Sequence, residues 1–230
     1  MSNRVLTTVL VALVGVCGFF GWRIWILTQT DLTEGVALSD PLATEADASE
    51  SFLRDWRTSQ TVDHISFAKV GLTGNGLAAF TEDIIVQRNG ERLINRDSSI
   101  IYERDGETET CRQTRTELFC TPPSPVPTAE EREAQLRTLL MGEDWSYRAT
   151  FSPRAGCYQL QLDLSKGPIT PEYGLETEYC FDAATGAVRT KVVHRVNRTE
   201  SYEASEISNE FDETDLRGAF PVPILERFFG

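Results

Sequence analysis

Phe80–Cys111, FTEDIIVQRNGERLINRDSSIIYERDGETETC, is the stretch that decides the fold. Phe80, Ile84 and Val86 fall on one parity, the period-two signature of a half-buried strand. Glu82 and Arg88 share that parity, so the alternation is imperfect. Asn89-Gly90 then supplies the residue pair favoured in a two-residue hairpin turn. It predicts a second strand near 91–104, where Ile100 and Tyr102 alternate with Ile101 and Glu103. Asp105-Gly106 marks the next turn and leads into a strand carrying Cys111. Turns this short join antiparallel neighbours, whereas parallel neighbours need long crossovers. The sheet is therefore expected to be antiparallel.

Toward the C-terminus, the run Thr121–Pro127, TPPSPVP, breaks the sheet, because proline cannot donate to a central ladder. Thr128 with Glu131 three residues on reads as a capping box that opens a helix. Leu136, Leu139 and Leu140 form its apolar side, and Gly142 ends it. Strands resume with Tyr158, Leu160, Leu162 and Leu164 on one face and Cys157, Gln159, Gln161 and Asp163 on the other. Further strands are expected at 176–181, 188–196 and 202–207. In the second of these, Val192, His194 and Val196 share a side, which makes His194 a core histidine. Ile224–Phe229 is apolar enough to pack on the body.

Toward the N-terminus, Gly71, Gly74 and Gly76 lie between two β patterns and read as a hairpin turn, not a phosphate cradle, which would open a helix. Asp40 and Pro41 fit the N-cap and first position of a helix near 41–58 whose stripe is Phe52, Leu53 and Trp56. Before it, residues 28–40 form a polar tether. Val5–Leu27, VLTTVLVALVGVCGFFGWRIWIL, has one charge, Arg23, and as a helix spans roughly 35 Å, against about 30 Å of bilayer hydrocarbon. It is longer than a cleaved signal core, and no small-residue cleavage site follows it. It reads as a single-pass transmembrane anchor. Arg4 precedes it and acidic residues follow, so residues 1–4 are placed in the cytoplasm and 41–230 outside as one extracytoplasmic domain.

Two of the 22 Lys and Arg residues, Arg4 and Arg23, precede or lie in this leader, while all 35 Asp and Glu residues follow it. So acidic an exported portion argues against nucleic acid as a partner. Cys111, Cys120, Cys157 and Cys180 are an even set in an exported domain, which points to two disulfides. Of three connectivities, Cys111–Cys120 with Cys157–Cys180 is favoured, the first closing across a turn-like segment. No short Cys spacing for zinc is present. Neither histidine, His64 or His194, sits in a metal or nucleophile motif, and there is no G-x-S-x-G elbow. The acidic tract from Glu203 to Asp215 lacks the EF-hand loop pattern. No catalytic residue, metal or cofactor is assigned, and an enzyme is not expected. Asn197-Arg-Thr199 fits a glycosylation sequon.

The order of elements, with the strand ending Tyr179-Cys-Phe-Asp182, the turn Thr185-Gly186, the strand through Val192 and the final strand YEASEIS at 202–208, resembles the LolA-like lipoprotein-carrier superfamily, with its LppX/LprG-type and RseB-type envelope domains. The resemblance covers about 40–220 and implies an α+β fold. That fold is a curved antiparallel sheet, a half-open barrel, with one or two packed helices and an apolar concave side that holds an acyl chain or a lipidated partner. A permanent anchor and the lack of a lipidation site depart from a diffusing shuttle and favour a stationary acceptor or sensor. A curved sheet exposes apolar side chains to a cleft, so Phe80, Ile84, Val86, Ile100, Tyr102, Leu160, Leu162, Val192 and Val196 are candidates to line it. The expected function is membrane-tethered binding of a lipid, lipoprotein or other hydrophobic ligand. The alternative is an anchored module that contacts an envelope protein partner and takes no small ligand.

Overall fold

In the computed structural model, residues 41–97, 99–114, 117–143, 145–153, 155–166 and 172–230 are described. The leader Val5–Leu27, the tether and Asp40 lie outside them. Among the described residues, no helix is long and apolar enough to cross a membrane.

Two helix-then-meander units follow one another. Helix α1 (Pro41–Thr61) leads into β1 (His64–Gly74), β2 (Leu77–Arg88), β3 (Glu91–Arg96), β4 (Ser99–Arg104), β5 (Glu107–Gln113), β6 (Leu118–Cys120) and β7 (Ser124–Pro125). Helix α2 (Ala129–Met141) leads into β8 (Tyr147–Ser152), β9 (Cys157–Leu162), β10 (Glu176–Phe181), β11 (Val188–His194) and β12 (Thr199–Ser208). A tail of two short helices, α3 (Glu213–Leu216) and α4 (Val222–Phe229), completes the order. The strands form one open antiparallel sheet in the order β6-β5-β4-β3-β2-β1-β12-β11-β10-β9-β8, with β7 on β5. The seam between the units is β1 on β12, which pairs Ile65 with Ser208 and Thr73 with Thr199.

Local chemistry accounts for most boundaries. Asn75-Gly76, Asn89-Gly90 and Asp105-Gly106 all take positive φ, the pairing that a type I′ hairpin requires. Thr128 caps α2 with a reciprocal capping box to Glu131. The proline-rich run stays exposed at the sheet edge, where only Ser124–Pro125 pairs. The single strand read at 91–104 is in fact two. Asp97, at φ +46, turns the chain between β3 and β4. Leu164 lies past the end of β9 and is 70% exposed. Bulges at Phe67/Ala68 and Cys180/Phe181 bend the sheet.

Register assigns the faces, because directly paired residues share a side. Ile65, Val86, Leu93 and Tyr102 form one cross-strand row. On that face the tail packs Leu216, Phe220, Ile224, Leu225 and Phe228. Tyr158, Tyr179, Lys191 and Tyr202 form a row on the opposite face. Over β8–β10 that face is covered by Phe52, Leu53 and Trp56 of α1 and by Leu136 and Leu140 of α2. The two cores thus lie on opposite sides of one sheet, toward its two ends. Among the described residues, each core leaves the other half of its face without a helix.

His194 is corrected by this layout. It shares a side with Val192, but on the face that the tail covers only in the other half, so it is exposed and its Nδ1 meets Thr199 Oγ1 at 3.2 Å.

The disulfides are Cys111–Cys120 and Cys157–Cys180, each between directly paired residues of adjacent strands. Replacing Cys157 and Cys180 together by Ala is expected to cost about 3 kcal/mol, because the released loop separates residues 23 apart. Urea unfolding measures this. An unchanged midpoint would show that the bond does not constrain the unfolded chain.

Candidate functional site

A cleft of about 260 Å³ opens where the α1/α2 layer ends on its face of the sheet. Trp56, Ser59 and Gln60 of α1 and Arg132 of α2 form one wall. The floor comes from alternate positions of central strands: Ile85 and Gln87, then Arg92, Ile94 and Arg96, then Tyr202, Lys191 and Tyr179. His64, Val188 and Glu172 complete the lining.

Hydrogen bonds fix the wall to the floor. Gln87 Nε2 donates to Ser59 O at 3.1 Å and Val62 O at 2.9 Å. Those carbonyls sit at the end of α1, where the helix has no internal donor left for them. His64 Nδ1 lies 3.0 Å from Val62 O, and burial pulls the pKa of this imidazole below its ordinary value. Tyr158 Oη donates to Asp55 at 2.7 Å, which ties β9 to α1. On the floor, Tyr202 Oη and Ser66 Oγ meet at 3.2 Å across the seam. Gly186, at φ +81, brings the β10–β11 turn against α1. A Cβ there would fall 2.9 Å from Thr58 Cγ2.

The charges are unevenly satisfied. Asp83 is 1% exposed and accepts a fork from Arg96 Nε, at 2.9 Å to Oδ2 and 3.1 Å to Oδ1. Arg92 reaches Glu103 only at 3.5 Å. Lys191 lies 5.0 Å from the Tyr179 ring centre and 5.8 Å from that of Tyr173. Desolvation lowers the Lys191 pKa, and the nearby Glu172 offsets part of that. Burial raises the phenols of Tyr179 and Tyr202.

Arg96→Met would strand the Asp83 carboxylate. The expected loss is about 3 kcal/mol, the low end for a broken buried pair, because the Arg96 side chain is 42% exposed. Adding Asp83→Asn should recover much of it. A double-mutant cycle in urea reads both, and additive losses would mean the two groups do not act as a pair.

The nine apolar positions chosen from the sequence are distributed elsewhere. Ile84, Val86, Ile100 and Tyr102 pack in or against the core under the tail, and Leu160 and Leu162 lie in the core under α1 and α2. Phe80 is 53% exposed near the β1–β2 hairpin, Val192 is half-buried on β11, and Val196 is 77% exposed beyond it. None lines the cleft. The lining residues of β2 and β3 have the opposite parity to the regular apolar row. Their mix of Ile, Gln and Arg carries no strand-pattern signal. Two groupings among the described residues bring Cys and Glu together closely enough for a metal, Glu109 with Cys111 and Cys120, and Glu178 with Cys157 and Cys180. Their sulfurs are the two disulfides.

No protein-family model and no curated protein matches the chain. Solved structures do. A DUF1329 family protein from Desulfovibrio piger shares 10% identity over 79% of this chain and 99% of its own, at a TM-score of 0.36. A chain of the MucA/MucB complex of Pseudomonas aeruginosa shares 16% over 70% of this chain, at 0.43, and this chain spans 56% of its length. A LolA superfamily protein from Nitrosomonas europaea shares 4% over 74% of this chain and 96% of its own, at 0.33. The superfamily that the sequence resembles is therefore among the structural neighbours. At TM-scores below 0.5 these likenesses carry no argument about what the cleft holds.

Proposed function

We propose that residues 41–230 form an extracytoplasmic binding domain, held to the membrane by Val5–Leu27, whose cleft accepts part of an amphipathic, lipid-like ligand. The observation that supports this is the open cleft between the helices and the sheet, with Trp56, Ile85, Ile94 and Val188 supplying apolar surface beside polar groups. Ligand sites combine these features, and their volumes start near 300 Å³. At about 260 Å³ the cleft fits a headgroup and the first part of one chain. Native mass spectrometry of the full chain, released from neutral nanodiscs, tests this reading. A retained or added amphiphile bound one-to-one is expected. Bare protein at every amphiphile concentration would contradict it.

A second reading, contact with an envelope protein partner, draws on a different surface. Phe67, Phe80 and Leu77, the last 77% exposed, lie in or beside the β1–β2 hairpin.

A further inference from the structure

The chain is acidic, with a formal charge of −13, yet among the described residues its cleft is lined by Arg92, Arg96, Arg132 and Lys191 against the single acid Glu172. Arg96 is committed to Asp83. The other three cations are under-used. The Nε atoms of Arg92 and Arg132 are buried without a hydrogen-bond partner. Among the described residues, Arg132 otherwise reaches only the neutral Gln60 Oε1, at 3.4 Å. Among the described residues, Lys191 has no carboxylate within ion-pair distance. Buried donors are nearly always satisfied, and an unpaired buried charge is costly. Arg92 keeps a long ion pair with Glu103, at 3.5 Å, but all three cations converge on one open cleft with donors left over, which is explained if the missing acceptor is a ligand.

We propose that the cleft recognises the phosphate-type oxyanion of an amphiphile, bound by Arg92, Arg132 and Lys191, with the first part of its chain against Trp56, Ile94 and Val188. Arginine suits this because its fork of N–H donors matches phosphate oxygens, and lysine adds a point charge. The pKa of Lys191 fits the same picture, since burial lowers it and the like charges of Arg195 and Arg92 lower it further, against a partial offset from Glu172 and Glu200. A bound anion would relieve both effects. The inference rests on the amphiphile reading of the cleft and adds the chemistry of the headgroup.

The test uses the full chain in nanodiscs of digalactosyldiacylglycerol, a bilayer lipid without phosphate, with empty discs subtracted. Three probes are titrated: oleoyl lysophosphatidic acid, mono-oleoylglycerol (the same molecule without phosphate) and inorganic phosphate. The phosphorylated amphiphile is expected to bind about tenfold tighter than the neutral one, or more, as charge-assisted hydrogen bonds allow. Inorganic phosphate should bind weakly and compete. Lys191→Met and Arg132→Met should each shrink the preference, and Lys191→Arg should keep most of it. Equal affinity for the two amphiphiles overturns the headgroup proposal and leaves the amphiphile reading standing. Failure of both to bind overturns both. Inorganic phosphate binding as tightly as the phosphorylated amphiphile supports anion recognition and removes the amphiphile. If a variant melts early, the wild-type comparison of the three probes decides alone.

Discussion

Ending the chain after Pro221 is expected to remove about 5–8 kcal/mol of stability, roughly the whole margin of an ordinary domain. The deleted helix α4 contributes Ile224, Leu225 and Phe228, all buried in the core on the tail-covered face. Each such side chain is worth about 1.5–3 kcal/mol when removed from water. Their loss uncovers Val86, Leu93 and Tyr102 on the sheet, and Tyr102 also loses its edge contact with Phe228, whose ring centre lies 6.3 Å away. Leu225→Ala is the milder form and should cost about 2–5 kcal/mol. Dye binding to exposed apolar surface and proteolysis within β3–β5 should both rise. A truncated chain that melts within a few degrees of the full one would show that the tail is not part of this core.

Phe52→Ala should cost about 3–5 kcal/mol, the range for a fully buried aromatic side chain. Phe52 has no exposed surface and sits 5.4 Å from the Tyr158 ring centre, 5.3 Å from Tyr179 and 6.1 Å from Phe181. Such pairs add to the area term by about 0.5–1.5 kcal/mol each. The position also reaches the cleft. Trp56 follows one turn later on the same helix, and Tyr179 is part of the floor. Binding should therefore weaken along with stability. Phe52→Leu keeps much of the volume and is expected to lose less than half as much. A loss under about 1 kcal/mol for the alanine variant in urea would contradict the packing described.

The hairpins were legible because their chemistry is local. Asn89-Gly90 and Asp105-Gly106 take the positive φ values that the dipeptides announce. The Thr128 capping box, the disulfide pairing and the apolar tail were legible for the same reason. Asp97 was missed because Asp-Ser-Ser is a weaker turn signal than Asn-Gly, and Ile100 and Tyr102 continue the strand pattern past it. The seam was not legible either, since pairing Ile65 with Ser208 leaves no local trace. That seam sets which half of each face carries helices. Without it, the sequence could not say that Val86 packs a core while Ile85, its neighbour, lines a cleft. The regular apolar rows marked packed interior, and the irregular rows between them marked open surface.

Photo-crosslinking with a diazirine-bearing long-chain alkyl phosphate, followed by peptide mapping of the full chain, tests most directly which surface takes the ligand. Adducts are expected on peptides holding Trp56, Ile94 or Val188, and should fall sharply in Lys191→Met. Adducts confined to Phe67, Leu77 and Phe80 at the β1–β2 hairpin, with none in the cleft, would contradict a ligand site between the helices and the sheet.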